Sequence, residues 1–186
     1  MSVKRCSWVT SDQIYIDYHD NEWGVPCYDS QDLFAQLMLE GQQAGLSWLT
    51  ILRRRETYYT AYADFDPFKV ASFDKKDVAR LMEDAGIIRH RLKVEAIIHN
   101  AKCFVNLHEK GVDFSRYLWG FVSHQVAVNH WTDDALVPTL SSVSVQMSKS
   151  LKSNGFKYVG PTICYAFMQA VGMVNDHILG CLCRDI

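Results

Sequence analysis

The sequence predicts an all-α fold that forms one compact unit over residues 1–186. Apolar residues recur with helical spacing along most of the chain, whereas the apolar-polar alternation of a strand is nearly absent. The 186 residues are 48% hydrophobic and 22% charged, which is close to the average of globular proteins. A chain of this size buries enough surface to fold without disulfides, and no repeat or low-complexity linker divides it.

The first predicted helix begins at Asp29 or Ser30 and runs to about Gly45. Its inward positions follow the spacing i, i+4, i+7 and i+11, which lies on one helical face. A second helix is expected after Ser47, a favoured N-cap residue. It runs to about residue 63, because Pro67 interrupts the pattern soon afterwards.

The remaining helices follow from the same signals. Asp74 is the expected N-cap of a third helix, and Gly86 is its expected C-terminal stop. A long apolar period predicts the fourth helix, and Pro161 suits the first position of the last one. The third and fourth helices cover residues 74–86 and 91–110, and three shorter ones cover residues 114–121, 143–153 and 161–171. Residues 123–142 are predicted to form a loop.

Charge and composition exclude several classes of protein. Nineteen Lys and Arg residues against twenty-one Asp and Glu residues give a net charge of −2. A protein that coats DNA nonspecifically is much more basic, although a local basic patch is compatible with a few phosphate contacts. The chain shows no membrane-spanning stretch and no signal peptide, and its six cysteines indicate a reducing compartment. We therefore expect a monomeric cytoplasmic protein that contacts no membrane.

Cysteine and histidine residues near the two ends of the chain form a candidate metal site. His177 and Cys181 are four residues apart, and Cys6 and His19 provide a second pair. Two cysteines and two histidines suit tetrahedral Zn²⁺ and leave no open position, which is typical of a structural site. Cys183 is a rival fourth ligand, and scattered side chains that hold no metal are the alternative to a zinc site.

One carboxylate interrupts an apolar helical stripe. Glu40 stands between Leu37 and Ala44, where a leucine is expected. Burial of an ionised carboxylate is costly unless it is paired, so such a residue is a candidate for catalysis or ligand binding. The alternative, favoured on the pattern alone, is a glutamate at the edge of the stripe that turns to solvent.

Aromatic residues crowd the same part of the chain. They are Trp8, Tyr15, Tyr18, Trp23 and Trp48. Aromatic residues form cores more often than ligand sites, but Trp23 lies in a polar, turn-rich stretch that is poor core material. A cage of aromatic rings beside one carboxylate suits a flat cationic ligand, through stacking and cation–π attraction.

A basic helical hairpin is predicted around residues 78–105. Gly86, Arg89 and Arg91 lie at the junction of its two helices. The pattern resembles a helix-hairpin-helix, in which amide groups of the hairpin and the next helix bind a DNA phosphate. The usual motif has a second glycine where this chain has Ile88, and most helical hairpins bind no ligand.

Five segments together resemble the bacterial 3-methyladenine-DNA glycosylase I family. They are residues 18–26, 40–48, 84–91, 155–162 and 174–181, and the resemblance covers essentially the whole chain in order. It implies a helix-hairpin-helix DNA glycosylase fold whose ends are joined by a structural Zn²⁺. The implied zinc ligands are Cys6, His19, His177 and Cys181. The implied base pocket consists of Trp8, Tyr18, Trp23, Glu40 and Trp48.

The resemblance also implies an activity. The expected enzyme is a hydrolase that cleaves the N-glycosidic bond of 3-methyladenine in double-stranded DNA and leaves an abasic site, the first step of base excision repair. Alkylation at N3 makes the base cationic, so it leaves as a neutral molecule and Glu40 has only to recognise and position it. Leu46, at the expected mouth of the pocket, is a candidate to wedge into the DNA stack.

Two residue types that act in catalysis in related enzymes have no clear counterpart in this sequence. The resembled family lacks the catalytic aspartate that most of its relatives place after the hairpin, and nothing in the sequence assigns that role to Asp113. Lys93, expected at an exposed helix start, is a weak candidate for Schiff-base chemistry. We therefore predict a monofunctional glycosylase that does not break the DNA strand.

Two other classes remain open on the residues alone. A noncatalytic DNA-binding module needs the basic hairpin but no carboxylate in an aromatic cage. A zinc hydrolase needs three protein ligands, a bound water and a nearby base. Release of free base from methylated DNA distinguishes the glycosylase from both.

Overall fold

The computed structural model describes residues 4–184, which are mostly helical as predicted. None of the helices in this range is long and apolar enough to cross a membrane. The α-helices are α1 Gln13–Asn21, α2 Ser30–Gln43, α3 Trp48–Leu52, α4 Arg55–Ala61, α5 Pro67–Ala71, α6 Lys75–Glu83, α7 Arg91–Glu109, α8 Phe114–Trp119, α9 Ser142–Ser153 and α10 Pro161–Ala170. Short 3₁₀ turns cover residues 63–65, 120–122 and 134–136. The strands β1 Ala127–Val128 and β2 Val174–Asn175 pair in parallel, and the first of them lies inside the predicted loop.

The predicted helix starts are confirmed by their capping contacts. The Asp29 side chain accepts hydrogen bonds from two amides of the first turn of α2. Ser47 caps α3 in the same way, and Asp74 forms a capping box with Asp77 at the start of α6. Pro161 is the first residue of α10, where its missing N–H costs nothing.

The single helix predicted over residues 48–63 is wrong. The chain forms α3 and α4 there, and the backbone then turns through three residues with positive φ, Ala63, Asp64 and Phe65. Pro67 does not end a helix but begins α5, with Asp66 as its N-cap. Helix α1, which the sequence pattern did not reveal, begins after Asp12, whose side chain accepts from the amide of Ile14.

Gly86 does not stop a helix in the predicted way. Helix α6 ends three residues earlier, at Glu83, and Gly86 is not among the residues with positive φ. A Cβ atom at this position would lie 2.0 Å from Cγ2 of Thr57 in α4. The glycine is therefore required for close packing of the connection between α6 and α7 against α4.

Helix α2 is central to the core and also carries Glu40. Its residues Leu33, Phe34, Leu37 and Leu39 are completely buried. The helix contacts α3, α7, α8 and α10, so its position is fixed from several directions. A side chain on its second half is consequently held in one place, as a binding site requires.

Lys93 is buried, which corrects the expectation that it lies at an exposed helix start. Its Nζ donates to the backbone oxygens of Gln42 and Ala44, at 2.7 Å in each case. These carbonyl groups belong to the C-terminal end of α2, where acceptors are unsatisfied and a positive charge is favourable. Lys93 thus fixes the start of α7 against the end of α2 and is committed to a structural contact.

Candidate functional site

A cavity of about 390 Å³ lies where α1, α2, α3 and α10 meet. The structure brings together in its lining all five residues assigned to the pocket from the sequence. They are Trp8, Tyr18, Trp23, Glu40 and Trp48. Residues that are up to 40 positions apart in the sequence therefore form one site.

Glu40 is buried and does not turn to solvent. Its exposed fraction is 3%, and Oε1 accepts a hydrogen bond of 2.9 Å from Nε2 of Gln36, one turn earlier on α2. Burial raises the pKa of the Glu40 carboxyl to about 8, although the bond from Gln36 acts in the opposite direction. A cationic ligand in the cavity would favour ionisation of Glu40 and pair with it.

Aromatic rings form the walls around this carboxyl group. The ring centroids of Trp8 and Trp23 are 5.0 Å apart in an edge-to-face arrangement, and those of Tyr18 and Trp48 are 5.5 Å apart. Burial also raises the pKa of the Tyr18 phenol, which therefore stays neutral and able to donate. Nε1 of Trp48 is buried and has no acceptor within residues 4–184, so it is a free donor in the pocket region.

Helix α10 supplies a wall of the cavity that the sequence reasoning missed. Its contributing residues are Thr162, Tyr165, Ala166 and Gln169. Their spacing of i, i+3, i+4 and i+7 defines one face of the helix. Two polar residues on a face of an otherwise apolar helix were the signal that could have revealed this wall.

Asp176 is a second buried carboxylate in the cavity lining, also missed from the sequence. It is 1% exposed and accepts four hydrogen bonds of 2.7–2.8 Å. The donors are Asn129, Trp131, Tyr165 and Gln169. Asp176 thus joins residues 129–131 to α10, and its acceptor capacity is used by the protein itself. The burial of an isolated aspartate after a short strand leaves no periodic signal in the sequence.

A cluster of possible metal ligands lies beside the cavity. The ligand atoms of His19, His177, Cys181 and Cys183 are all within 4.8 Å of one another, and all four residues are buried. Nε2 of His177 has no hydrogen-bond partner within residues 4–184, whereas its Nδ1 lies 3.0 Å from Oδ1 of Asn175. Burial lowers the pKa of His177 to about 4, so the ring is neutral, as a metal ligand must be. An oriented neutral imidazole with one free nitrogen fits a metal site.

The contacts of His19 distinguish the two candidate fourth ligands. Its Nδ1 lies 2.7 Å from Oδ1 of Asp20, which leaves Nε2, 3.5 Å from Sγ of Cys181, for a metal. Sγ of Cys183 is on the Nδ1 side of the ring, at 3.8 Å, and also contacts Asp20. Cys6 is buried in the same small cluster of side chains as Cys181 and Cys183. Among the described residues, Cys183 and not Cys6 belongs to the set defined by distance, whereas the free Nε2 of His19 points towards Cys181.

The ligand cluster and the cavity share two tryptophan walls. The centroid of Trp8 is 5.2 Å from that of His19, and the centroid of Trp23 is 4.6 Å from that of His177. Gly24 allows this approach, because a Cβ atom there would lie 2.7 Å from Cε1 of His177. The same rings therefore contact both candidate sites.

The residues predicted to contact DNA lie in the connection between α6 and α7, and some backbone amides there are free to donate hydrogen bonds. The N–H of Gly86 is not free, because it donates to Oδ1 of Asp84 at 2.8 Å. The side chains of Arg89 and Arg91 are exposed. In the described part of the chain, the amides of Arg89, Arg91 and Leu92 have no acceptor. The available donors thus lie at the start of α7 rather than at the glycine.

Leu46 lies in the turn between α2 and α3. Its side chain is 38% exposed, and the preceding Gly45 has a φ of +77°. The neighbouring Gln43 and Trp48 line the 390 Å³ cavity, whereas Leu46 is not among the described residues that do.

Asp113 is used as the N-cap of α8, where its side chain accepts a hydrogen bond from the amide of Arg116 at 2.7 Å.

Comparison with known proteins identifies the family. The family profile described as methyladenine glycosylase matches residues 8–185. The chain belongs to the methyladenine glycosylase family. It is 54% identical over 181 residues to DNA-3-methyladenine glycosylase 1 of Escherichia coli strain K12, and the match covers 97% of each protein.

Solved structures of the family agree with the fold described above. A crystal structure of 3-methyladenine DNA glycosylase I has a TM-score of 0.96 and 49% sequence identity, and the match covers 97% of this chain and 100% of that one. A structure that describes 3-methyladenine recognition by the Staphylococcus aureus enzyme has a TM-score of 0.95 at 38% identity, over 99% of this chain and 98% of that one. The methyladenine glycosylase fold is therefore shared over nearly the full length.

Proposed function

We propose that the protein is a monofunctional DNA glycosylase that hydrolyses the N-glycosidic bond of 3-methyladenine in alkylated DNA and leaves an abasic site. The observation that carries this proposal is Glu40, a buried carboxyl group inside a cavity walled by aromatic rings. Relatives named for this activity support it. An enzyme of this kind takes its target base out of the duplex and reads it in a pocket.

The pocket suits a cationic purine. Trp8, Trp23 and Trp48 provide flat apolar surfaces, and ring faces attract a positive charge. Glu40 supplies the opposite charge and an acceptor for an exocyclic amine, and the neutral Tyr18 offers a second polar contact. Because Glu40 is protonated near neutral pH when the cavity is empty, it must release its proton when the cation enters. An uncharged adenine gains much less from the site.

Cleavage then requires little more from the protein. When the bond between the sugar and the base breaks, its electron pair goes to the base and neutralises the positive ring. Water adds to the cationic sugar carbon and loses a proton to the solvent, which completes the hydrolysis. Lys93 donates to two backbone carbonyls and lines no part of the cavity within the described chain, which agrees with the absence of strand cleavage that we propose.

We further propose a structural Zn²⁺ held by Cys6, His19, His177 and Cys181. The free and buried Nε2 of His177 and the orientation of the His19 ring support this set. The ion would join the N-terminal and C-terminal segments, and a site with four protein ligands contributes to folding. The bond-breaking steps are independent of it.

The hairpin is the proposed contact with double-stranded DNA. Phosphate oxygens would accept from the free amides at the start of α7 and from Arg89 and Arg91, while Leu46 fills the gap left by the extruded base. Binding should weaken with salt by a slope of about −0.9 per phosphate contact. A double variant, Arg89→Ala with Arg91→Ala, should bind all sequences more weakly and reduce that slope by about 2. Unchanged binding would place the interface elsewhere.

A monomer of the cytoplasm is the simplest form of this proposal. The pocket, the ligand cluster and the hairpin all belong to one chain, so the site needs no second copy. The relatives are named for an activity on DNA, and bacterial DNA lies in the cytoplasm. Sedimentation of the protein alone and with a short duplex tests the monomer.

The activity is tested with methylated DNA, chromatography of the released bases and a gel for strand breaks. Wild-type protein should release 3-methyladenine without breaking the strand and should leave hypoxanthine in place. Glu40→Ala should release it much more slowly, whereas Glu109→Gln, an exposed change at the end of α7, should match the wild type. Binding to duplexes without any base release would instead indicate a noncatalytic module.

A further inference from the structure

Gln36 occupies a position between two cavities. On one side, its Nε2 donates to Oε1 of Glu40 at 2.9 Å, across one turn of α2. On the other side, it lines a second cavity of about 670 Å³ together with Tyr18, Glu22 and Arg55. Within residues 4–184, Gln36 is the one donor that reaches the Glu40 carboxyl group. The amide therefore contacts Glu40 from behind, from the wall that faces away from the proposed base.

We propose that Gln36 is a positioning residue that holds one oxygen of Glu40 from behind, so that the carboxylate is oriented and stabilised as the anion that a cationic base requires. The inference rests on the proposed function, because it assigns Glu40 the role of pairing with that base. An amide N–H can bond to a carboxylate oxygen in any protonation state but binds most strongly to the ionised form. The second oxygen of Glu40 remains available to the ligand.

No other described residue donates a hydrogen bond to the Glu40 carboxyl group, and none of the groups around it is positively charged and free to pair with it. Arg55 is committed to Glu22, with Nη2 of the guanidinium 2.9 Å from Oε1, and lies in the second cavity. Tyr15 and Tyr18 face Glu40 from α1, and both have pKa values raised by burial and by the Glu40 charge. The other ionisable groups in the cavity lining are Asp134, Tyr165 and Asp176. None of these carries a positive charge, so Gln36 is the group that favours the ionised form.

The size of the effect follows from the strength of such a bond. A hydrogen bond to a charged group is stronger than one to a neutral group, and the difference in free energy moves the titration midpoint of the accepting carboxyl group by about one to two pH units. Without Gln36, Glu40 should therefore ionise about one to two pH units higher. Near pH 7, each unit lowers the fraction of ionised Glu40 about tenfold, and binding of a cationic base should weaken to the same extent.

The test uses Gln36→Met, which keeps the length of the side chain and removes the donor. The six glutamates of the chain are labelled with ¹³C at the carboxyl carbon, and the Glu40 signal is followed against pH by NMR. We expect its midpoint to rise by about one to two pH units, and kcat/KM for 3-methyladenine release at pH 7 to fall about 10- to 100-fold and to recover at higher pH. Gln31→Met is the matched control, because it removes a hydrogen bond from the same helix, to the backbone of Asp64, without touching Glu40.

A second variant separates the hydrogen bond from packing. Gln36→Glu has the same shape but places a second carboxyl group against Glu40, so the pair should titrate in two coupled steps, and the upper step should have a midpoint above that of Glu40 in the wild type. An unchanged Glu40 midpoint in Gln36→Met would overturn the inference, as would a loss of activity that is equal at every pH. If the wild-type protein releases no base, the proposed function fails, whereas the NMR midpoints still decide whether Gln36 stabilises the anion.

Discussion

Replacement of Glu40 by glutamine should stabilise the empty protein, and increasingly so as the pH rises. The carboxyl group is 3% exposed, and burial raises its pKa from an ordinary value of 4.5 to about 8. Glutamine has the same shape as the protonated carboxyl group and carries no charge at any pH. The variant therefore removes the cost of a buried ionisable group and keeps the packing of α2.

The magnitude follows from the two pKa values. Below pH 4.5 the carboxyl group is protonated in both the folded and the unfolded chain, so the variant and the wild type should be equally stable. Between pH 4.5 and 8 the folded protein binds more protons than the unfolded one, so the stability of the wild type falls as pH rises. Each pH unit costs about 1.36 kcal/mol, which amounts to about 2 kcal/mol at pH 6 and about 4 to 5 kcal/mol at pH 8 and above.

Urea unfolding at pH 5, 6, 7 and 8 measures this difference directly. The quantity of interest is the free energy of unfolding of Glu40→Gln minus that of the wild type, because other titrating groups cancel in it. Glu95→Gln, an exposed change on α7, is the control and should give a small difference that does not grow with pH. A difference for Glu40→Gln that is flat with pH, or a variant less stable than the wild type at pH 8, would refute the burial argument.

Two further predictions concern the ligand cluster. Metal analysis should find about one zinc ion per chain. The Cys6→Ser variant should lose this zinc and the Cys183→Ser variant should retain it, because Cys183 lies on the Nδ1 side of His19. The reverse result would assign the fourth ligand to Cys183. Gly24→Ala should lower both the stability and the zinc content, because the new Cβ atom would contact His177. Gly111 has a similar positive φ but no atom near its Cβ position, so Gly111→Ala should lower the stability alone, by about 1–2 kcal/mol. Equal zinc content in the two variants would contradict the expected effect of the Gly24–His177 contact on the metal site.

The parts of the fold that the sequence predicted well are those with local signals. Capping residues such as Asp29 and Asp74 act within one turn of the chain, so their patterns can be read directly. The break between α3 and α4 and the positive φ values at residues 63–65 have no comparable local signal. They arise where short helices are forced to turn around the core, and tertiary packing decides the backbone conformation there.

The candidate site shows the same division between local and distant determinants. Glu40 was visible because it interrupts a helical stripe, and the aromatic residues were visible by their density. Asp176 was invisible, because its burial depends on donors from residues 129–131 and from α10. The role of Gly86 was misread for a related reason, since the atom that requires a glycine there belongs to Thr57.

The proposed zinc would affect base recognition, because the ligand cluster lies beside the cavity. Trp8 packs on His19, and Trp23 packs on His177, while both tryptophans also line the cavity with Glu40. Rings that are held by an oriented imidazole on one side present a fixed surface on the other, and preorganised surfaces lose less entropy when a ligand binds. A metal that fixes the two histidines would therefore also fix the aromatic walls, although it contacts neither the base nor the DNA.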